Sequence, residues 1–222
     1  MTMARSRASP GVRRRPAQCR VTDALHTVGV IADTHGLLRP EAAAALAGSE
    51  LIVHAGDVGN AKVLDTLREI APVVAVRGNN DNGAWAVTLP TTEVVEIGGV
   101  FLYVLHDLRE LDLDPAAAKF HAVIAGHSHR PRIDRRNGVM FLNPGSAGPR
   151  RFTLPVAVAR LQVHGGRVRA EIVELAVPVP DHHSAPAKSA GARSSATRPR
   201  AAHDGTMSRD MEMRSWLDEA EG

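Results

Sequence analysis

The sequence contains a single cysteine, Cys19, among its 222 residues. An intramolecular disulfide is therefore excluded, which fits a reducing compartment. No apolar run approaches the roughly 20 residues that a transmembrane helix needs, so no membrane-spanning segment is expected. No apolar segment follows the basic N-terminus either, so a secretory signal is not expected, although an Arg-rich organelle transit peptide stays open. These absences together favour a cytoplasmic protein.

Aromatic residues are also scarce, at 3% of the chain, whereas hydrophobic residues make up 44%. A folded domain is expected, with a core built from aliphatic side chains. The formal net charge of +3 comes from one end of the chain, because residues 1–24 contain six Arg and one Asp while residues 25–178 contain 15 basic and 16 acidic residues. Since the central part lacks a basic excess, tight binding of a nucleic-acid polymer is not expected.

The composition divides the chain into three parts. Residues 1–24 mix Arg, Ser and Pro without apolar periodicity, which predicts a disordered basic tail. Residues 179–222 are rich in Ala, Ser, Pro, Arg and Asp and are predicted to be mostly disordered, with a short helix as an open alternative within 208–221. Residues 25–178 form the predicted domain.

Within that domain, short β-branched runs alternate with helical segments in the first half, and hairpins follow in the second. Strands are predicted at Thr27–Ala32, Leu51–His54, Val73–Arg77, Thr92–Ile97, Val100–Leu105, Ala122–Ala125, Val139–Leu142, Pro155–Val163 and Arg167–Leu175. Helices are predicted at Pro40–Ala47, from Asn60 to about Ile70, and at Asp114–Phe120. The pattern predicts an α/β fold in which two sheets pack face to face with helices outside.

Five short polar segments follow the apolar strands directly. They are Asp33-Thr34-His35, Gly56-Asp57, Gly78-Asn79-Asn80-Asp81, His106-Asp107 and Gly126-His127-Ser128-His129. Because ligands of open α/β sheets bind beyond the carboxyl ends of the strands, these segments are expected to line one site.

The candidate ligands in these segments are two Asp, one Asn and four His: Asp33, His35, Asp57, Asn79, His106, His127 and His129. Oxygen and imidazole ligands without thiolate suit Mn, Fe, Zn or Ni. Seven ligands exceed what one ion needs from the protein if it is also to activate a water. Two divalent ions about 3.5–4 Å apart, sharing one carboxylate, account for the number.

The ordered segments resemble the signature of the calcineurin-like metallophosphoesterase superfamily, and Asn143-Pro144-Gly145-Ser146 resembles its small bacterial and archaeal phosphodiesterase branch. The resemblance runs from about Val28 to Leu175. It implies a four-layer α-β-β-α sandwich of two mixed sheets with helices outside. It also implies a bridging hydroxide that attacks phosphorus, with Mn the expected metal. The implied ligands are Asp33, His35 and His129 for the first ion, Asn79, His106 and His127 for the second, and Asp57 as the bridge.

Two positions depart from the family pattern. Many members have His where this chain has Asn80, and that His is thought to protonate the leaving oxygen or to stabilise the transition state. Asn cannot act as an acid, so a preference for acidic leaving groups is expected. The second departure is His106-Asp107-Leu108, where many relatives have His-Gly-His. Asp107 could orient a ligand or face solvent.

The sequence therefore predicts a dinuclear phosphoesterase, more specifically a phosphodiesterase acting on a small phosphate ester. Asp57 and Asn80 are the expected catalytic residues, and Asn80 and Arg150 are candidates for binding substrate. The alternative is a protein-interaction scaffold of the same fold with weak or no activity. A homodimer, paired through a strand edge or through residues 84–90, is left open.

Overall fold

The structure is a computed structural model and describes residues 24–151 and 153–177. Apart from Ala24, the two predicted tails lie outside these residues, and so does the short helix considered within 208–221. None of the helices in the described ranges is long and apolar enough to cross a lipid bilayer.

The described residues form ten strands and two α-helices. The strands are β1 (His26–Ile31), β2 (Leu51–His54), β3 (Val73–Ala75), β4 (Thr92–Ile97), β5 (Val100–Leu105), β6 (Ala122–Ile124), β7 (Arg132–Arg136), β8 (Val139–Asn143), β9 (Ala157–His164) and β10 (Arg167–Glu174). The helices are α1 (Pro40–Leu46) and α2 (Ala61–Arg68), and 3₁₀ turns lie at Ala86–Thr88 and Leu108–Glu110.

The strands form two mixed sheets of five strands each. The first sheet has the order β10-β9-β1-β2-β3, and the second has the order β4-β5-β6-β8-β7. Strands β1, β2 and β3 run parallel, as do β5, β6 and β8. The predicted α/β architecture with two sheets is confirmed. In each sheet the three parallel strands are neighbours, so their carboxyl ends lie side by side.

The two sheets pack face to face around an aliphatic core. Val30 and Val53 of the first sheet and Leu102 and Ile124 of the second belong to one buried cluster. Burying side chains of this size contributes about 1.5–3 kcal/mol each to folding. The sandwich therefore rests on Val, Leu, Ile and Ala, as the shortage of aromatic residues predicts.

Both helices cover the outer face of the first sheet. Leu46 of α1 and Leu67 of α2 pack in one cluster with Ile31 and Ile52. The predicted helix boundaries are confirmed where local signals define them. The Asn60 side chain accepts a hydrogen bond from Val63 N at 3.2 Å and caps α2. Gly48, with φ of +80°, follows the end of α1.

The outer face of the second sheet is covered by a loop and a 3₁₀ turn. Leu108 and Phe120 pack against Leu105 and its neighbours there. The predicted helix Asp114–Phe120 was wrong, because this segment forms a single turn. A single turn forms too few hydrogen bonds to offset the cost of nucleating a helix. Lys119, with a φ of +64°, ends the turn.

Strand β7 was not predicted from the sequence. It is the edge strand of the second sheet, pairs antiparallel with β8, and has four of its five residues Arg or Asp. Charged residues protect an edge strand from pairing with other chains. Because its side chains are mostly exposed, β7 lacks the apolar pattern on which strand prediction depends.

Candidate metal centre

The predicted ligands follow strands whose carboxyl ends lie side by side. Asp33 and His35 follow β1, and Asp57 follows β2, its parallel neighbour. His106 and His127 follow β5 and β6, which are parallel neighbours in the second sheet. The expectation that the polar segments lie together at the carboxyl ends of parallel strands is confirmed for the first sheet. The second sheet contributes further polar segments, which follow β5 and β6.

Backbone strain is concentrated at these residues. Seven described residues other than glycine have a positive φ, and five of them are predicted ligands: Asp33 (54°), His35 (47°), Asp57 (54°), His127 (66°) and His129 (57°). A non-glycine residue in this region costs of order 1–3 kcal/mol and persists only where the surroundings hold it. Hydrogen bonds from Asp33 N to Gly56 O at 3.0 Å and from His35 N to Asp57 O at 2.9 Å hold two of them.

Asp33, His35 and His129 form the first cluster. His129 Nε2 lies 3.3 Å from Asp33 Oδ1 and 3.3 Å from His35 Nε2. Asp33 is fully buried, and its Oδ1 has no hydrogen-bond partner among the described residues. Burial raises the pKa of this carboxyl to about 7. A buried oxygen without a donor, facing two imidazole nitrogens, fits a divalent cation.

Asn79, His106 and His127 form the second cluster. Asn79 Oδ1 lies 3.0 Å from His106 Nε2 and 3.0 Å from His127 Nδ1. An amide oxygen between two imidazole nitrogens is a set of donor atoms that suits Mn, Fe or Zn. The atoms that would bind a cation therefore converge here as well.

Asp57 lies between the two clusters. Its Oδ2 is 3.5 Å from His106 Nε2 in the second cluster and 3.9 Å from His35 Nε2 in the first. Burial alone would raise the pKa of this carboxyl, but hydrogen bonds with His106 and Asn80 outweigh it and hold the pKa well below its usual range. Asp57 therefore carries its negative charge at the position that two cations would share.

His106 is oriented by a backbone carbonyl. Its Nδ1 lies 2.8 Å from Ala55 O and donates a hydrogen bond to it. Nε2 is thereby left to face Asp57 and Asn79, as in metal-binding histidines whose second nitrogen is fixed by an acceptor. Burial lowers the pKa of His106, but the contacts with Asp57 and the Ala55 carbonyl outweigh it and raise the pKa to about 9.

Asn80 contacts the central carboxylate twice. Its backbone N donates to Asp57 Oδ1 at 2.8 Å, and its side-chain Nδ2 donates to Asp57 Oδ2 at 2.6 Å. Asp81 holds the surrounding loops, because its two oxygens accept hydrogen bonds from Gly59 N and Gly78 N, each at 2.8 Å. The segment after β3 is thus tied to the segment after β2.

Thr34 and His54 lock the loop that carries the first cluster. Thr34 Oγ1 donates to Val58 O at 2.9 Å, so it accepts from His54 Nε2, also at 2.9 Å. Both residues are fully buried. Thr34, the partner of His54, stands between two residues of the first cluster, Asp33 and His35.

Two arginines that the sequence did not single out as site residues reach the ligands. Arg109 Nη2 lies 2.9 Å from His127 Nε2, and Arg151 Nη2 lies 3.4 Å from His35 Nε2. Arg150, the sequence candidate for binding substrate, has no hydrogen bond or ion pair with a predicted ligand among the described residues. The sequence offered one sign of Arg109. Its spacing from Asp107 brings two opposite charges together, and the two side chains form an ion pair.

A cleft of about 370 Å³ opens beside the second cluster. Its lining residues include two of the predicted ligands, and they are Arg77, Gly78, Asn79, Asp81, Asn82, Thr91, His106, Asp107 and Glu110. Most of these side chains are polar or charged. The cleft can therefore hold a polar group next to the second cluster.

The sequence is similar to those of known proteins. Residues 27–166 match the model of the calcineurin-like phosphoesterase superfamily domain. A probable metallophosphoesterase of Methanothermobacter thermautotrophicus is 35% identical over 167 residues, which cover 68% of this chain and 94% of that protein.

Two solved structures share the fold. An archaeal phosphodiesterase superimposes with a TM-score of 0.57 at 21% identity, covering 66% of this chain and 99% of that one. The Vps29 protein of Entamoeba histolytica in complex with zinc superimposes with a TM-score of 0.52 at 24% identity, covering 67% and 98%. The family match spans more than half of the chain and contains all seven predicted ligands. The chain therefore belongs to the calcineurin-like phosphoesterase superfamily.

Proposed function

We propose that this protein hydrolyses a small phosphodiester with two divalent metal ions. The observation that carries the proposal is the position of Asp57, whose Oδ2 lies within 4 Å of an imidazole nitrogen in each cluster. A single ion would not need ligands on both sides of this carboxylate. Two ions that share it would use all seven ligands.

The residues fit such a pair of ions. Asp33, His35 and His129 would hold the first ion, and Asn79, His106 and His127 would hold the second, with Asp57 shared. When bound, the ions supply an activated water and neutralise charge on the phosphoryl oxygens. The chain's own contribution is to orient the ligands through the strained loops and through the Ala55 carbonyl that fixes His106.

Asn80 holds Asp57 and is not a proton donor for the leaving group. Its amide donates to Asp57 Oδ2 at 2.6 Å, and an amide has no proton to transfer at neutral pH. The leaving oxygen must then depart without a general acid from this position. A substrate with an acidic leaving group is therefore favoured.

The surroundings of the ligands suit a diester. Arg151 and Arg109 lie at the two ends of the ligand cluster, where their guanidinium groups can reach phosphate oxygens. The 370 Å³ cleft beside Asn79 and His106 can hold one alcohol group of the substrate. Its polar lining favours a hydrophilic alcohol.

We propose manganese as the metal. Oxygen and imidazole ligands without thiolate are compatible with Mn, and also with Zn, Ni or Fe. The Entamoeba histolytica relative of the same fold has been solved with zinc, so zinc is the first alternative to test.

The test is hydrolysis of bis-p-nitrophenyl phosphate and of p-nitrophenyl phosphate by protein stripped with a chelator and then given manganese, nickel, zinc or magnesium. Hydrolysis should appear only with added metal and should be faster for the diester. The variant Asp57→Asn keeps the size of the side chain but removes its charge, and should lose activity. Asp65→Asn is the matched control, because Asp65 is an exposed carboxylate on α2 paired with Arg68.

The second candidate function is a protein-interaction scaffold of the same fold. It is favoured by Asn80, because that position lacks the acid that many family members have. The same assay separates the two functions. Two bound ions per chain with no hydrolysis of either ester under any metal would favour the scaffold.

A further inference from the structure

The two ring nitrogens of His127 have different surroundings. Nδ1 faces the second cluster, 3.0 Å from Asn79 Oδ1. Nε2 points the other way, 2.9 Å from Arg109 Nη2 and 3.5 Å from Asp107 Oδ2. Of the two nitrogens, Nδ1 is therefore the one placed to bind a cation.

The contact with Arg109 conflicts with that role. A guanidinium only donates hydrogen bonds, so the contact requires His127 Nε2 to accept. A neutral imidazole that accepts at Nε2 carries its hydrogen on Nδ1, where it can donate to Asn79 Oδ1. With the hydrogen there, Nδ1 cannot bind a metal ion. Binding through Nδ1 requires the hydrogen on Nε2 and an acceptor beside it.

Asp107 supplies that acceptor. Its Oδ1 accepts from the backbone N of Arg109 at 3.0 Å. Arg109 Nε donates to both carboxylate oxygens, at 3.2 Å to Oδ1 and 3.0 Å to Oδ2. Asp107 Oδ2 is the oxygen directed at both Arg109 Nη2 and His127 Nε2. Leu108 packs against the cluster around Leu105, which fixes the turn and keeps Asp107 in place.

His106, which precedes Asp107 in sequence, already has one ring nitrogen bound to an acceptor and the other facing the second cluster. His106 donates from Nδ1 to Ala55 O at 2.8 Å and presents Nε2 to the cluster. Metal-binding histidines generally donate their other nitrogen to a carboxylate or carbonyl, which fixes the tautomer. His127 needs an equivalent partner, and Asp107 is the carboxylate beside it.

We propose that Asp107 is a positioning residue that accepts a hydrogen bond from His127 Nε2 and so makes Nδ1 a ligand of the second metal ion. Arg109 competes with Asp107 for His127 Nε2 and leaves this nitrogen when the ion binds. The inference rests on the proposed metal binding. The Arg109 guanidinium can turn towards solvent, because 55% of its side chain is exposed. The bond from the Arg109 backbone N to Asp107 Oδ1 can persist while Oδ2 exchanges the guanidinium for His127 Nε2.

The two residues predict opposite effects on one metal site. Removing the carboxylate with Asp107→Ala should weaken one of two manganese-binding events about 10–100-fold, the usual effect of losing such a partner. The other event should keep its affinity. Asp107→Asn retains an acceptor oxygen without the charge and should recover part of the loss. Arg109→Gln removes the competitor and should strengthen the same event several-fold.

The measurement is calorimetric titration of manganese into chelator-stripped full-length protein, with thermal melting of each metal-free variant as a check of folding. Asp134→Asn and Arg136→Gln are matched controls, because they belong to an exposed Asp-x-Arg pair on β7. Nitrogen NMR of the zinc-loaded protein gives a second readout. It should show the His127 hydrogen on Nε2 in wild type, and this hydrogen should exchange with solvent faster in Asp107→Ala, where its acceptor is missing.

The outcomes separate this inference from the proposed function. Two manganese ions bound to wild type, with unchanged affinities in Asp107→Ala and Arg109→Gln, would overturn the inference and leave the dinuclear site intact. Weaker binding in Arg109→Gln would also overturn it, because Arg109 would then assist the site. Absence of manganese and zinc binding in wild type would overturn both.

Discussion

Asn80 donates two hydrogen bonds to Asp57, one to each carboxylate oxygen, at 2.8 Å from the backbone and 2.6 Å from the side chain. Hydrogen bonds to a charged group are worth about 1.5–3 kcal/mol each. The position after Asn79 is thus used to hold the central carboxylate. The family resemblance implies a histidine with an acid role at this position, whereas Asn80 contacts Asp57 here.

Exchanging this residue should change how the rate depends on the leaving group. Asn80→His restores a titratable group at the position, and a positioned general acid contributes about 10²–10⁴-fold for leaving groups that need protonation. Hydrolysis of an alkyl ester should accelerate relative to hydrolysis of an aryl ester. The measurement is kcat/KM for a series of esters plotted against the pKa of the leaving alcohol.

Asn80→Ala is the control for that series. It removes the side-chain bond to Asp57 without adding an acid, so all esters should slow by a similar factor. An Asn80→His plot with the same slope as wild type would contradict the assignment of Asn80 as the reason for the leaving-group preference.

Gly56 is required by its contact with His106. A Cβ built on Gly56 would lie 2.6 Å from His106 Nδ1, and its φ of +86° is one that other residues rarely adopt. Gly56→Ala should displace the imidazole, break its bond to Ala55 O, and lower metal affinity and activity at least tenfold. Metal titration and the diester assay measure both.

Gly48→Ala is the matched control for this change. Gly48 has a similar φ of +80°, but a Cβ there would meet no atom within 4 Å. It should cost about 1 kcal/mol of folding free energy and leave metal affinity unchanged. Equal losses of metal affinity in the two variants would show that backbone strain, and not the His106 contact, is responsible.

Thr34 should contribute to stability through its two buried hydrogen bonds. Thr34→Val keeps the shape but leaves the Nε2–H of buried His54 without its acceptor, which costs about 1–3 kcal/mol. The free energy of unfolding, measured by urea denaturation, should fall by that amount. Thr66→Val removes a solvent-exposed hydrogen bond from the Thr66 hydroxyl to Lys62 O on α2. This control should change the free energy of unfolding by less than about 0.5 kcal/mol.

The parts that the sequence predicted depend on local signals. The hairpin of β4 and β5 was predicted with its exact strand bounds, because Gly98 and Gly99 carry the positive φ that a two-residue turn requires. The candidate ligands could be named because they follow apolar runs in an order that resembles the family's. Polar residues directly after apolar runs are visible without any knowledge of tertiary contacts.

The parts that the sequence did not predict depend on contacts between distant segments. Arg109 meets His127 across 18 positions, and Arg151 meets His35 across 116. The spacing of Asp107 and Arg109 signals a local ion pair, but no residue next to either arginine identifies its histidine partner. Likewise, the helix predicted at Asp114–Phe120 has suitable residues, but tertiary packing of Phe120 against Tyr103 competes with its short local preference.

Metal ions should stabilise the fold, because the ligand set exists only in the folded chain. The carboxylates of Asp33 and Asp57 are buried and have oxygens within 4.8 Å of each other, so a bound cation relieves their mutual repulsion. A ligand present at 100 times its Kd adds about 2.7 kcal/mol per site. For a domain of this size, that corresponds to an increase in Tm of about 5–10 °C.

The measurement is thermal melting of chelator-stripped protein with and without manganese. Asp57→Asn should reduce the increase for both ions, because this carboxylate is shared in the proposed site, whereas Asp65→Asn should retain the wild-type increase. The chelated Asp57→Asn protein should melt lower than chelated wild type, because the variant loses the charge that His106 and Asn80 stabilise in the folded state. An equal increase in Asp57→Asn and wild type would mean that manganese binds elsewhere on the chain, and the shared role of Asp57 would have to be abandoned.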